Sequence, residues 1–201
     1  MLFLDGSAGK HYKMKRIFCV LVLILSLSGC VSVSPYVLSK NQTTLDLTKN
    51  RGVALFTLKV KNSLSTRLIL SSFTVRETNQ YKAYDTLGSF SIPFMSENYS
   101  AVDDLYFCTM VLNRGIYRLD SFNGLTNSFF SLPYTLKADE IFDVYPNAVN
   151  YIGRLDFGDL DTKVIVMTLK NREDAYAQDV DKFKVIFPVL KDKEIGKDSF
   201  Y

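Results

Sequence analysis

Leu105-Tyr106-Phe107-Cys108-Thr109-Met110-Val111-Leu112, followed by Asn113-Arg114-Gly115, is the stretch that decides the fold. A β-strand sends neighbouring side chains to opposite faces. Leu105, Phe107 and Val111 therefore share one face, and Tyr106, Cys108, Met110 and Leu112 the other. Both faces are apolar, so the spacing predicts a central strand covered on both sides. Asn113-Arg114-Gly115 predicts a tight hairpin with glycine at a position of positive φ, and Ile116 to Phe122 the return strand. Cys108 reads as a small buried hydrophobe, because no base or cation stands beside it in sequence to form a thiolate.

Working outward, the same period of two recurs. Ala54, Phe56, Leu58 and Val60 alternate with Val53, Leu55, Thr57 and Lys59. Asn62 to Ser65 reads as a turn, and a second strand runs from Leu68 to Val75. Residues 79–100 are less regular and predict a long connection with one short strand. Ser128 to Lys137, Ile141 to Val144 and Val149 to Phe157 alternate again, broken at Pro146-Asn147-Ala148, and Thr162 to Lys170 adds one more strand. The period then switches. Tyr176, Val180 and Phe183 fall on one helical face that should pack on a sheet, and Asn171 is placed to cap a helix near 172–184. Lys191 to Tyr201 reads as a charged, fraying tail.

Upstream, Met14-Lys15-Arg16 opens an apolar run, Ile17 to Leu27, that ends in Leu27-Ser28-Gly29-Cys30. A basic start, a short apolar core and a small-residue cleavage site are the parts of a secretory signal peptide. Eleven residues from 17 to 27 fall short of the roughly 18 that a membrane-spanning helix needs. The cysteine directly after Ser28-Gly29 makes the segment resemble the lipobox of bacterial lipoproteins. That resemblance implies cleavage after Gly29, recognition through Leu27, Ser28 and Gly29, and acylation of Cys30. The protein would then be anchored in a membrane by lipid. In those families an Asp after the acylated cysteine favours the inner membrane; Val31 here implies the outer membrane of the cell envelope. Residues 1–13 then have no role, and an overcalled start accounts for them.

On this reading 14–29 is the leader, 30–50 the lipidated N-terminus and a tether ending in an edge strand near Thr44 to Thr48, 51–190 the folded domain and 191–201 the tail. The chain has 201 residues, so removing the 29 before Cys30 leaves 172, enough for one domain with its own core. The whole chain carries 24 basic and 21 acidic residues. Taking away Lys10, Lys13, Lys15, Arg16 and Asp5 leaves 20 of each, so the mature domain is formally neutral. No basic cluster remains to follow phosphates, and nucleic-acid binding is not expected. The sole histidine, His11, leaves with the leader, which excludes Ser-His-Asp, Cys-His and His-ligated zinc chemistry. With Cys19 removed and Cys30 acylated, Cys108 has no partner for a disulfide.

A second likeness joins Gly115-x-Tyr117-x-Leu119 to Phe142-x-Val144-x-Pro146 and Tyr151-x-Gly153. It resembles a pattern in small bacterial lipoproteins of unknown function, where a glycine-acid pair replaces Asn147-Ala148. Asn tolerates the left-handed conformation, so the turn survives. The resemblance implies a mainly β protein, an antiparallel β-sandwich (immunoglobulin-like or prealbumin-like) with one short C-terminal helix.

Chemistry is sparse. Asp156, Asp159 and Asp161 crowd together but lack the glycine and distal glutamate of a calcium loop, and a turn between strands is expected. Asp103-Asp104 reads as a strand-entry turn. No metal and no cofactor is expected. Two function classes follow. One is a non-catalytic envelope module binding a protein or glycan, with Tyr81, Tyr84, Tyr99 and Tyr134 as its candidate surface. The other is a carboxylate-dependent hydrolase of a cell-wall component.

Overall fold

The computed structural model describes residues 36–48, 50–62, 67–79, 82–94, 100–102, 104–127, 131–160 and 166–200. The leader, the lipobox with Cys30, and Ser63, Ser65, Tyr81, Tyr99, Asp103 and Asp161 lie outside them.

The described residues form the β-sandwich with one C-terminal helix that the sequence implied. Its strands are β1 (Arg51–Lys61), β2 (Leu68–Asn79), β3 (Lys82–Pro93), β4 (Ser100–Val102), β5 (Leu105–Asn113), β6 (Gly115–Thr126), β7 (Pro133–Val144), β8 (Val149–Asp159), β9 (Val166–Thr168), β10 (Asn171–Glu173) and β11 (Gly196–Lys197). The helix α1 spans Tyr176–Ile186, and a 3-10 turn follows at Pro188–Leu190. The first sheet runs β10-β8-β1-β5-β4, with β11 also on β8; the second runs β3-β2-β6-β7-β9. Most pairs are antiparallel, but β8 lies parallel to both β1 and β11, and β7 parallel to β9.

Two cores explain why β1 and β5 are apolar on both faces. Between the sheets pack Phe56, Leu58, Tyr106, Cys108, Met110 and Leu112 with Phe73, Leu119, Phe122 and Phe142. On the outer side of the first sheet, Val53, Leu55, Phe107 and Val111 meet Val180, Phe183 and Phe187 of the helical segment. The face assignment read from Leu105 to Leu112 therefore holds residue by residue. Cys108 is fully buried, and burial pushes its thiol well above the usual range.

Several expectations are corrected. Residues 113–115 make no hairpin, because β5 and β6 belong to different sheets. The chain crosses from one sheet to the other there, since the inward face of β5 needs the second sheet as cover. Gly115 has no positive φ; Asn147 does, at 58°, so asparagine takes the left-handed position in the 145–148 turn. Residues 82–93 form a full twelve-residue strand, β3, along β2. In the region read as a strand from Thr162 to Lys170, only Val166–Thr168 are described as strand, and 162–165 lie outside the described residues. Asn171 caps nothing: it opens β10, and α1 starts at Tyr176 with no side-chain cap. The tail does not fray either. Ile195 and Phe200 are buried, β11 pairs with β8, and Phe200 sits edge-on to Phe142 at 6.0 Å.

The tether is also shorter than expected. Residues 36–48 contain no strand near Thr44 to Thr48; Leu38, Leu45 and Leu47 pack instead on the second core. Tyr36 exchanges backbone hydrogen bonds with Val111 at 3.2 and 2.7 Å. Thr109 accepts a bond from the Leu38 amide at 2.8 Å.

Candidate functional site

Among the described residues, the two sheets differ in what covers them. The outer face of the first is buried beneath α1 and residues 36–47. The outward residues Ile69, Ile116, Leu125 and Ile141 of the second sheet join neither core.

Alternation fixes what that open face carries. With Phe73, Val75, Leu119, Phe122, Leu136 and Phe142 turned inward, the row between them turns out. Its middle is an ion ladder. Arg76 and Arg118 lie opposite each other in the register, a placement that alone would repel. Asp120 pairs with Arg76 and lies 4.0 Å from Arg118, and Asp139 pairs with Arg118. Toward the other end, Thr135 donates to the Asn123 side-chain oxygen at 3.1 Å, and Ser71 donates to the Asn123 carbonyl at 3.1 Å. The end itself is apolar: Ile69 pairs with Leu125, and Leu125 with Pro133. Ile69, Leu125 and nearby Leu132 are 41–50% exposed. A face that is charged in the middle, small and polar beside it and apolar at one end suits a protein or glycan surface.

The tyrosines meet mixed outcomes. Tyr134 is only 3% exposed and belongs to the inter-sheet core, which removes it from any surface. Its neighbour Pro133 stands outward opposite Leu125, so Tyr134 must turn in. Tyr81 and Tyr99 lie outside the described residues, and Tyr84 is in β3 with its side chain outside them too.

The carboxylates expected in turns are engaged in bonds. Asp156 and Asp159 lie in β8 itself. Asp156 pairs with Lys59 at 3.1 Å and accepts the Gly158 amide at 2.7 Å; Asp159 pairs with Lys61 at 3.1 Å. Burial opposes the Asp156 charge, but the Gly158 bond and then Lys59 outweigh it and hold the carboxyl below its ordinary range. Asp104 accepts from the Asn62 amide at 2.9 Å, closing the entry to β5 as expected.

A further polar cluster escaped the sequence reading. Asp179 of α1 is wholly buried and accepts from Tyr151 at 2.7 Å and from Arg154 through Nε at 3.2 Å and Nη2 at 2.6 Å. Arg154 reaches Glu173 at 3.1 Å, and Glu173 reaches Lys59 at 2.9 Å. Burial works against the Arg154 charge, yet the bonds from Asp179, then Glu173, raise its pKa. Burial, with the Asp179 bond added, likewise pushes the Tyr151 hydroxyl far up. An acid, a cation and a tyrosine together resemble catalytic equipment, but their bonds run to one another and fasten α1 to β8. One signal was available: Asp179 stands on the same helical stripe as Tyr176, Val180 and Phe183, an acid on an apolar face. The neighbouring cleft, lined by Tyr151, Gly153, Arg172, Lys197, Asp198 and Phe200, holds about 250 Å³. That is under the roughly 300 Å³ at which small-molecule pockets begin.

The chain matches no protein-family model, and no curated protein or solved structure matches it at a significant level.

Proposed function

We propose that this chain is a lipid-anchored protein of the cell envelope, held most simply in the outer membrane, whose sandwich is a non-catalytic binding or assembly module. The observation that carries the binding role is the asymmetry of the sandwich. Among the described residues, one sheet is covered on both faces, while the other leaves a mixed face ending in Ile69, Leu125 and Leu132. Exposed apolar residues gathered at one end of a face, beside polar ones, are the composition of an interaction surface. The anchor rests on Leu27-Ser28-Gly29-Cys30 and the basic start before it. The polar cluster around Asp179 supports a non-catalytic reading, because its groups are spent on holding α1.

Two experiments test the two halves. Cys30→Ala should abolish fatty-acid labelling and partitioning into detergent; retained label would refute the anchor. A photo-crosslinker at Leu125 or Leu132 in intact envelopes should capture a defined partner, a protein or glycan strand. The same group at Val185, 80% exposed on α1, should not. Equal capture at all three positions would refute the open face as the binding surface.

A further inference from the structure

We infer that one end of the sandwich, carrying Tyr36, Asn50, Arg114, Tyr145 and Asn147, rests against the lipid bilayer in which Cys30 is anchored. The inference rests on the lipoprotein reading above and adds to it a docking surface and an orientation.

The first part of the argument is the entry of the chain. Tyr36 bridges Val111 in antiparallel sense, and Leu38 bonds to Thr109 two residues back along β5. Residues 36 to 38 thus run away from the Asn113 end of β5, and the chain arrives at Tyr36 from that end. Arg51 holds Tyr36 there, its guanidinium carbon 5.3 Å from the ring centre. The second part is length. Cys30 precedes Tyr36 by six residues, and extended chain spans at most about 3.3–3.6 Å per residue, roughly 20 Å in all.

The third part is the composition of that end. Three turns are bound together in it: the Arg114 amide donates to the Asn50 carbonyl at 2.7 Å, and the Asn147 amide to the Arg51 carbonyl at 2.6 Å. They present the half-exposed ring of Tyr145 and the exposed Arg114. Tyrosine places a ring among acyl chains and a hydroxyl among headgroups, and arginine reaches lipid phosphates. The Ile69-Leu125-Pro133 row stands at the opposite end, since β7 runs from Pro133 to Val144 and rises about 3.4 Å per residue, close to 37 Å. A short tether at one end therefore points the apolar row away from the membrane, toward a partner.

The chain contains no tryptophan, so a single introduced indole reports its own position. The full-length protein, matured and lipidated in cells, carries Tyr145→Trp or, separately, Leu132→Trp. Each is reconstituted in vesicles of phosphatidylethanolamine and phosphatidylglycerol with lipids brominated high on the acyl chain. Arg114→Trp repeats the near-end measurement should Tyr145→Trp fail to fold. The expected result is loss of fluorescence at 145 and 114 and none at 132. Equal loss at both ends, or loss at 132 alone, in protein that floats with the vesicles would overturn the orientation. Protein that does not float would overturn the anchor reading itself, and the orientation with it. Inserting a Gly/Ser linker of about 30 residues, r.m.s. span near 30 Å, between Ser34 and Pro35 should abolish the loss at 145 while flotation persists. Undiminished loss would overturn the short tether as its cause.

Discussion

Arg154 grips Asp179 with two nitrogens, at 3.2 and 2.6 Å, across the gap between β8 and α1, and Tyr151 completes the carboxylate's bonds from below. Removing one partner of a buried pair costs about 3–5 kcal/mol where the other charge is stranded. Arg154 keeps Glu173 at 3.1 Å, so the loss here falls toward the lower end, with the Tyr151 hydroxyl also losing its acceptor. Asp179→Ala should therefore lower the thermal midpoint steeply. Replacing both members, Asp179→Leu with Arg154→Met, should recover most of the loss, because apolar side chains of like volume often match a buried ion pair. Thermal melts of the three proteins check this. A double variant as weak as Asp179→Ala would show that the cluster does more than hold the helix.

Glu140 offers a pH test of opposite character. Burial raises its pKa, Arg172 at 3.3 Å pulls it down, and Asp139 adds to the rise, leaving the carboxyl above its ordinary 4.5. A carboxyl raised in the folded state holds a proton that the unfolded chain has lost, so its ionisation destabilises the fold. That penalty is absent below 4.5 and grows as pH climbs through the folded value. Glu140→Gln should thus be neutral or stabilising by less than about 1 kcal/mol at pH 7, with the difference fading under acid. Urea melts at pH 4 and pH 7 decide it. A variant clearly weaker at pH 7 would mean that the Arg172 pair outweighs burial.

Gly52 is required by its neighbours and not by its own dihedrals. A Cβ there would lie 2.1 Å from the Tyr145 carbonyl oxygen, which is backbone and cannot swing aside. At Gly88 the nearest atom is the tip of the Phe90 ring, at 3.3 Å. Gly52→Ala should cost about 1–3 kcal/mol, as forced overpacking does, and Gly88→Ala far less. Chemical denaturation of the pair gives the comparison directly.

Much of the fold was legible because alternation is a local signal. The faces of β1 and β5 could be read from Val53 to Leu58 and from Leu105 to Leu112 alone. What escaped was partnership. Nothing local in Asn113-Arg114-Gly115 tells a hairpin from a crossing between sheets; that depends on Tyr106 and Met110 needing Phe122 and Leu119 opposite. Residues 191–200 look like a solvated tail because Lys191, Asp192, Lys193 and Glu194 are charged, yet Ile195 and Phe200 suffice to dock them. The half-legible case is the Tyr117 to Phe142 pattern, whose rings stack at 5.9 Å across β6 and β7. The open face was illegible for a simple reason: in Leu68-Ile69-Leu70 all three residues are apolar, so composition does not say which one stands outward.

The last prediction separates a binding module from a hydrolase. If binding is the role, a charge placed in the apolar row should abolish it without unfolding the domain, since Ile69 and Leu125 contribute to neither core. Leu125→Asp should reproduce the phenotype of deleting the gene while the protein stays folded and membrane-bound. The carboxylates should behave otherwise. Asp159→Asn should shift stability by about 0.5 kcal/mol, as surface changes do, and Asp104→Asn by more, since that carboxylate accepts the Asn62 amide. These two, and Asp103→Asn and Asp161→Asn, should leave the phenotype intact. Asp156→Asn should cost somewhat more, because Lys59 and the Gly158 amide both bind that carboxylate, and should still leave function unchanged. A hydrolase losing its general acid would slow 10²- to 10⁴-fold, roughly the loss seen when positioned proton transfer is removed. A folded, anchored Asp→Asn variant with the deletion phenotype would therefore establish catalysis, and a silent Leu125→Asp would remove the open face from consideration.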